Sequence, residues 1–212
     1  MVNGIIAVVL GYLLGSIPSA FIATRLAVGK DLRQLGGGNV GGLNVYREVG
    51  LVPAAVAGIA DVCKGAAAVA IAQWLLDVSP PFVLAAALAV VVGHNWMVFL
   101  KFSGGKGMGA AMGGLFVLLP IYGYSWGLAF FFGLILIPYV ITRNVALSMF
   151  VGLLSLPFIA WLGVKSTEFL IFTIVLGLII ALKFFPTAMG AMDRAKSVKG
   201  FIFDRGLRDR RQ

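Results

Sequence analysis

The stretch from Gly107 to Thr142 is apolar throughout and longer than one bilayer crossing can use, so the chain must break within it. Pro120, with Gly123 beside it, supplies the break, dividing the run into a span near 107–120 and another near 122–142. A helix needs ~20 largely apolar residues to cross the hydrocarbon layer. The other segments of that kind lie near 4–24, 51–76, 82–100, 145–164 and 168–185, which makes seven spans. Composition points the same way: the 212 residues are 60% hydrophobic with a mean hydropathy of +1.01, where a soluble domain is ~45–50% apolar.

Charge decides how such a chain is threaded. Its 17 Lys and Arg outnumber 8 Asp and Glu, and cytoplasmic loops carry the excess of cations. With the N-terminus outside, one face collects the 25–50 loop with Arg25, Lys30, Arg33 and Arg47, and the 101–107 turn with Lys101 and Lys106. Arg143 and the tail from Lys183 through Arg211 join them, leaving Lys165 as the outside cation. Six helices would put the basic tail opposite the basic first loop. The expectation is therefore an all-α polytopic membrane protein of seven transmembrane helices, N-terminus outside and C-terminus cytoplasmic. Residues 1–190 form one membrane domain with cytoplasmic glycine-rich loops at 30–50 and 101–109, and 191–212 a basic cytoplasmic tail near anionic lipid. The first segment reads as a span rather than a cleaved signal, since Met1-Val2-Asn3 has no side-chain cation.

A single cysteine, Cys63, and a single histidine, His94, exclude an internal disulfide and a Cys- or His-built metal cluster. No metal and no cofactor is expected. Charged groups in or beside membrane spans are functional candidates by default, and three clusters qualify. The first is Gly36-Gly37-Gly38-Asn39-Val40-Gly41-Gly42-Leu43-Asn44-Val45-Tyr46-Arg47. Its glycines let backbone N–H groups converge on an anion, with Asn39, Asn44 and Arg47 as side-chain donors. Gly36, Gly38 and Gly41 also fit G-x-G-x-x-G, but no βαβ unit surrounds them, so a dinucleotide site is excluded; a flexible linker is the plain alternative. The second cluster is Asp61-Val62-Cys63-Lys64-Gly65, where Asp61 and Lys64 share a helix face and can pair or jointly hold a polar ligand. The third is Gly93-His94-Asn95 with Ser103-Gly104-Gly105-Lys106-Gly107, a glycine-flanked ammonium suited to phosphate. The Walker pattern is absent, so nucleotide hydrolysis is not indicated. His94 is the candidate general base, or else a structural histidine.

These motifs, in this order, resemble those of the bacterial integral-membrane acyl-phosphate:glycerol-3-phosphate acyltransferase family. The resemblance runs from Gly15-Ser16-Ile17-Pro18-Ser19-Ala20 and Arg25, through Gly36, Gly38, Asn39, Gly41, Asn44 and Arg47, then Asp61, Lys64 and Gly65, to Gly93-His94 and Gly104-Gly105-Lys106-Gly107. It implies acyl transfer from acyl phosphate to the 1-hydroxyl of glycerol 3-phosphate, giving lysophosphatidic acid for phospholipid synthesis. No nucleic acid partner is expected, and the protein is expected to be a monomer in the inner (plasma) membrane with its active site facing the cytoplasm. The resemblance implies that Gly36, Gly37, Gly38, Asn39, Gly41, Asn44, Arg47, Gly104, Gly105 and Lys106 bind substrate phosphate. His94, Lys106 and Arg47 are the catalytic candidates, with Ser16, Arg25, Asp61, Lys64 and Asn95 in support. The departures are specific. Gly37, Leu43, Met97 and Ser103 stand where the family usually has Ser, Thr, Pro and Lys, and its C-terminal Arg-His, Asn and Glu align with Lys183, Phe184, Thr187 and Lys196. The alternative is a transport or non-catalytic protein binding a phosphate ester or anionic lipid headgroup.

Overall fold

The computed structural model describes residues 1–194; the rest of the expected tail, including Lys196, Lys199, Arg205, Arg208, Arg210 and Arg211, lies outside the described residues. The described chain is helical and contains no β-strand, the one isolated bridge joining Met97 and Ser103. Contacts divide it into two compact units, Met1–Ile121 and Tyr122 onward.

In the first unit α1 (Val2–Gly15) and α2 (Ser19–Val28) occupy the expected first span. Pro18 has no N–H and disfavours helix at Ile17, so the helix breaks at Ser16–Pro18. A short helix, α3 (Gly42–Glu48), stands inside the loop expected at 30–50. It is followed by α4 (Leu51–Ala70), which runs on through a π-helical turn at Ile71–Leu75. Then come α5 (Pro80–Asn95) and α6 (Met108–Ile121). Glycine faces set the packing, because a missing Cβ lets backbones approach where lipid offers no hydrophobic push. A Cβ at Gly11 would lie 2.7 Å from the Ala86 carbonyl oxygen, and one at Gly15 would overlap that of Val90, which joins α1 to α5. Gly65 against Ala110 and Gly113 against Val62 join α4 to α6 in the same way.

The second unit holds α7 (Trp126–Thr142), α8 (Val145–Ile159) with a π-helical turn at Ala160–Val164, and α9 (Thr167–Arg194). Asn144 caps α8, its Oδ1 accepting from the Leu147 N–H at 3.1 Å. Phe131 and Phe169 fill its interior, with the Tyr122 and Phe169 rings 4.8 Å apart.

Two expectations about boundaries need correction. Pro120 lies within the last turn of α6, and the break comes at Gly123, whose φ of +73° turns the backbone left-handed. The 82–100 span starts earlier, at Pro80, and its helix stops at Asn95, since Trp96 leaves helical geometry (φ −134°, ψ 73°). Long apolar helical stretches run Val2–Val28, Leu51–Leu75, Leu147–Val164 and Thr167–Pro186, with shorter apolar helices at Pro80–Asn95, Met108–Ile121 and Trp126–Thr142.

Candidate active site

The glycine loop before α3 is a built structure rather than a tether. Gly36 and Gly38 have φ of +54° and +70°, left-handed values that side-chain-bearing residues rarely adopt. Asn44, near the start of α3, donates from Nδ2 to the carbonyls of Leu35 and Asn39, both at 3.1 Å. The Gly38 and Gly41 N–H groups close turns onto Leu35 and Asn39, each at 3.0 Å. Asn44 therefore braces the loop with the donors that sequence reasoning assigned to phosphate. Val40 and Val45 point into a core shared with Ala20, Ala23, Leu32, Ala57, Met97 and Leu100, which seats this loop on the segment after α5.

The two glycine loops meet. The Gly105 N–H donates to the His94 carbonyl at 3.0 Å, and a Cβ at Gly105 would stand 2.7 Å from the Val40 carbonyl oxygen and overlap His94 Nε2. Lys106 is thereby carried to the rim of the first loop, close enough to Arg47 for the two charges to oppose each other. Burial first, and then Arg47, hold the Lys106 ammonium below the usual lysine range. Two cations from loops far apart in sequence thus converge, an arrangement that a dianion would relieve.

Below them lies a buried charged cluster. Lys64 Nζ is 2.8 Å from Asp61 Oδ1 and donates to the Ile17 carbonyl at 3.0 Å, at the break that Pro18 creates. His94 Nδ1 is 3.4 Å from the same Asp61 oxygen. The three residues are 4%, 6% and 3% exposed for Asp61, Lys64 and His94. His94 is therefore held by Asp61 at one ring edge and covered by Gly105 at the other. Asn95 is fully buried, and a Cβ at Gly107 would stand 2.7 Å from its Oδ1. Ser16 Oγ donates to the Gly93 carbonyl at 3.5 Å and accepts from the Val98 N–H at 3.4 Å, tying the α1 break to the end of α5. Arg25 caps its own helix through a 2.8 Å bond to the Gly29 carbonyl. Among the described residues no cluster of metal-binding side chains occurs.

Of the departures from the family pattern, Gly37 and Leu43 are exposed and Met97 is buried in the core beneath the loops. Ser103 is exposed and bridges back to Met97. Sequence reasoning passed over Glu48, which stands beside Gly36. Its position four residues after Asn44 was the available signal, because that spacing places both on one face of α3.

Comparison with known proteins agrees with this geometry. The family model described as Glycerol-3-phosphate acyltransferase matches residues 5–188. Glycerol-3-phosphate acyltransferase 1 of Dehalococcoides mccartyi is 45% identical over 178 residues, covering 84% of this chain and 86% of the relative. Glycerol-3-phosphate acyltransferase 2 of the same organism is 34% identical over 97% of this chain and 96% of its own. The crystal structure of PlsY (YgiH), an integral membrane glycerol 3-phosphate acyltransferase in its glycerol 3-phosphate form, superposes with a TM-score of 0.76 at 29% identity, covering 87% of this chain and 89% of that one. Its lysophosphatidic acid form gives 0.74 at 28% identity. The chain belongs to the glycerol-3-phosphate acyltransferase family.

Proposed function

We propose that this chain transfers a fatty acyl group from acyl phosphate to the 1-hydroxyl of glycerol 3-phosphate, releasing lysophosphatidic acid and inorganic phosphate. Family membership supports the acyltransferase reading, and the crystal neighbour in its glycerol 3-phosphate form supports the acceptor. One observation in this chain carries the assignment of the site. Arg47 and Lys106 come from separate glycine loops and stand near enough for Arg47 to depress the Lys106 pKa. Both substrates bear phosphate, and both cations are needed to bind it and to stabilise the charge that grows as phosphate departs. Gly36, Gly37, Gly38, Asn39, Gly41, Gly104 and Gly105 bring backbone close to the phosphates. Asn44, Asp61, Lys64, Ser16 and Arg25 hold the loops in register, and His94 and Asn95 support the loop that carries Lys106.

In this reading seven helices cross the membrane of the cell, with the N-terminus outside and the site at the cytoplasmic face, and the chain acts as a monomer. The cations at 25–50, 101–107 and Arg143 support that orientation. The acyl chain lies among the helices while the polar ends meet at the loops.

The test is purified protein in lipid with palmitoyl phosphate and glycerol 3-phosphate, measuring lysophosphatidic acid and phosphate. Product is expected from the wild type, with most activity lost in Arg47→Ala and in Lys106→Ala while both stay folded. A folded wild type that binds glycerol 3-phosphate and makes no product would overturn the reading in favour of binding or transport.

A further inference from the structure

We propose that the turn joining α5 to α6 is an anchor sunk into the membrane leaflet, and that it fixes the depth at which the Lys106 loop meets a lipid substrate. α5 has 16 residues and α6 has 14. At a rise of about 1.5 Å per residue they are about 24 and 21 Å long, against a hydrocarbon layer of about 30 Å. Asp77 and Ser79 stand just before α5, polar residues that belong at the boundary with water. The shortfall in length therefore falls at the other end of the helix, where the chain runs Val98-Phe99-Leu100-Lys101-Phe102.

That turn sorts its residues by side. Met97 and Leu100 are buried in the core shared with Val40 and Val45 of the first glycine loop. Phe99 and Phe102 are 61% and 60% exposed, with Val98 and Lys101 exposed beside them. Lys101 and Phe102 have φ of +53° and +60°, and left-handed backbone at two consecutive residues with side chains persists only where the surroundings impose it. The Met97 carbonyl imposes it here, accepting from the Leu100 and Phe102 N–H groups at 3.1 and 2.8 Å, and the Ser103 N–H donates to the Leu100 carbonyl at 3.1 Å. In water such a turn would hold two phenyl rings in the solvent. In a leaflet it buries them among acyl chains, while the Lys101 stem lets its ammonium reach the anionic phosphates.

This inference rests on the seven-span, acyltransferase reading. Lys106 follows Phe102 by four residues, so the immersed turn holds the anion site at the level where a membrane lipid presents its polar end. Acyl phosphate then reaches Arg47 and Lys106 by moving within the leaflet, and glycerol 3-phosphate comes from water.

The experiment has two arms, both in vesicles of phosphatidylethanolamine and phosphatidylglycerol. In the first, Phe102→Cys is made with Cys63→Ser and labelled with a bimane fluorophore, which is exposed to lipid carrying a doxyl group near the headgroup or to iodide in the buffer. Quenching by the doxyl lipid is expected to exceed quenching by iodide; the reverse places the turn in water or against a protein partner and overturns the inference. In the second arm, Phe99→Ser with Phe102→Ser is expected to raise KM for palmitoyl phosphate about tenfold or more, from the lost burial of two rings. The values of kcat and of KM for glycerol 3-phosphate should stay at wild type, and Phe99→Leu with Phe102→Leu should restore the palmitoyl phosphate KM. An unchanged palmitoyl phosphate KM overturns the inference, and an equal loss toward both substrates overturns it in favour of a structural role. A wild type that makes no lysophosphatidic acid overturns the acyltransferase reading, and the anchor then stands or falls on the label.

Discussion

Gly105 and Gly37 stand on opposite sides of a sharp prediction. A methyl group at Gly105 would overlap His94 Nε2 and lie 2.7 Å from the Val40 carbonyl oxygen. Neither neighbour yields easily. The imidazole is buried and backed by Asp61 at 3.4 Å, and the carbonyl belongs to the first glycine loop, whose Val40 side chain is only 1% exposed. Forcing one methyl into such a contact costs about 1–3 kcal/mol. Lys106 is the next residue, so relief by backbone movement displaces its ammonium, and a shift of about 1 Å in a positioning group costs on the order of 100-fold in rate. Gly37→Ala is the matched control. No atom lies within 4 Å of its would-be Cβ, and its φ is outside the left-handed range, unlike those of Gly36 and Gly38. We expect Gly105→Ala to lower kcat/KM by about two orders of magnitude and to unfold earlier on heating. Gly37→Ala should unfold with the wild type. Wild-type turnover and unfolding in Gly105→Ala, measured with palmitoyl phosphate and by thermal denaturation in the same lipid, would refute the account of how the two loops lock together.

Removing one member of the buried pair leaves an uncompensated charge, so Lys64→Met or Asp61→Asn should each destabilise by about 3–5 kcal/mol, while the double variant should cost less than their sum. Additive losses in chemical denaturation would show that the 2.8 Å contact is not what holds these groups. A third expectation concerns pH. Because burial and Arg47 lower the Lys106 pKa, the folded protein without ligand releases that proton at a lower pH than the unfolded chain does. Stability from this residue is thus least when the ammonium is fully charged, and it rises as pH climbs from the folded value toward the unfolded one, ~10.4. Bound dianion reverses the shift, so glycerol 3-phosphate binding should take up protons in that window and weaken as pH rises through it. Calorimetry in buffers of different ionisation enthalpy measures the uptake; a proton count of zero there, or an identical count in Lys106→Met, would remove Lys106 from the anion site.

Part of the loop geometry was legible in the sequence. The glycines of 36–42 and 104–107 announce tight turns, several of them left-handed, and Arg47 and Lys106 announce cations adjoining apolar runs, because both features are written residue by residue. The Asp61–Lys64 pair was likewise visible as a three-residue helical spacing. What Asn44 does with its amide was not. It reads as a donor for phosphate and serves as a brace, since its neighbours Leu35 and Asn39 are brought to it by the loop's own turns.

The apolar stretches follow from the chain alone, because partition into lipid is summed over each stretch of about 20 residues and needs no knowledge of neighbours, whereas the break at Ser16–Pro18 and the end of α5 at Asn95 came from the structure. Only the tertiary structure decided that Lys64 reaches the Ile17 carbonyl, that His94 is enclosed between Asp61 and Gly105, that Val40 and Gly105 join the two loops, and that Glu48 faces Gly36. The joins between helices depend on which glycine face each presents and how closely two backbones then approach. Such register is a property of pairs of helices, and no single stretch of sequence carries it.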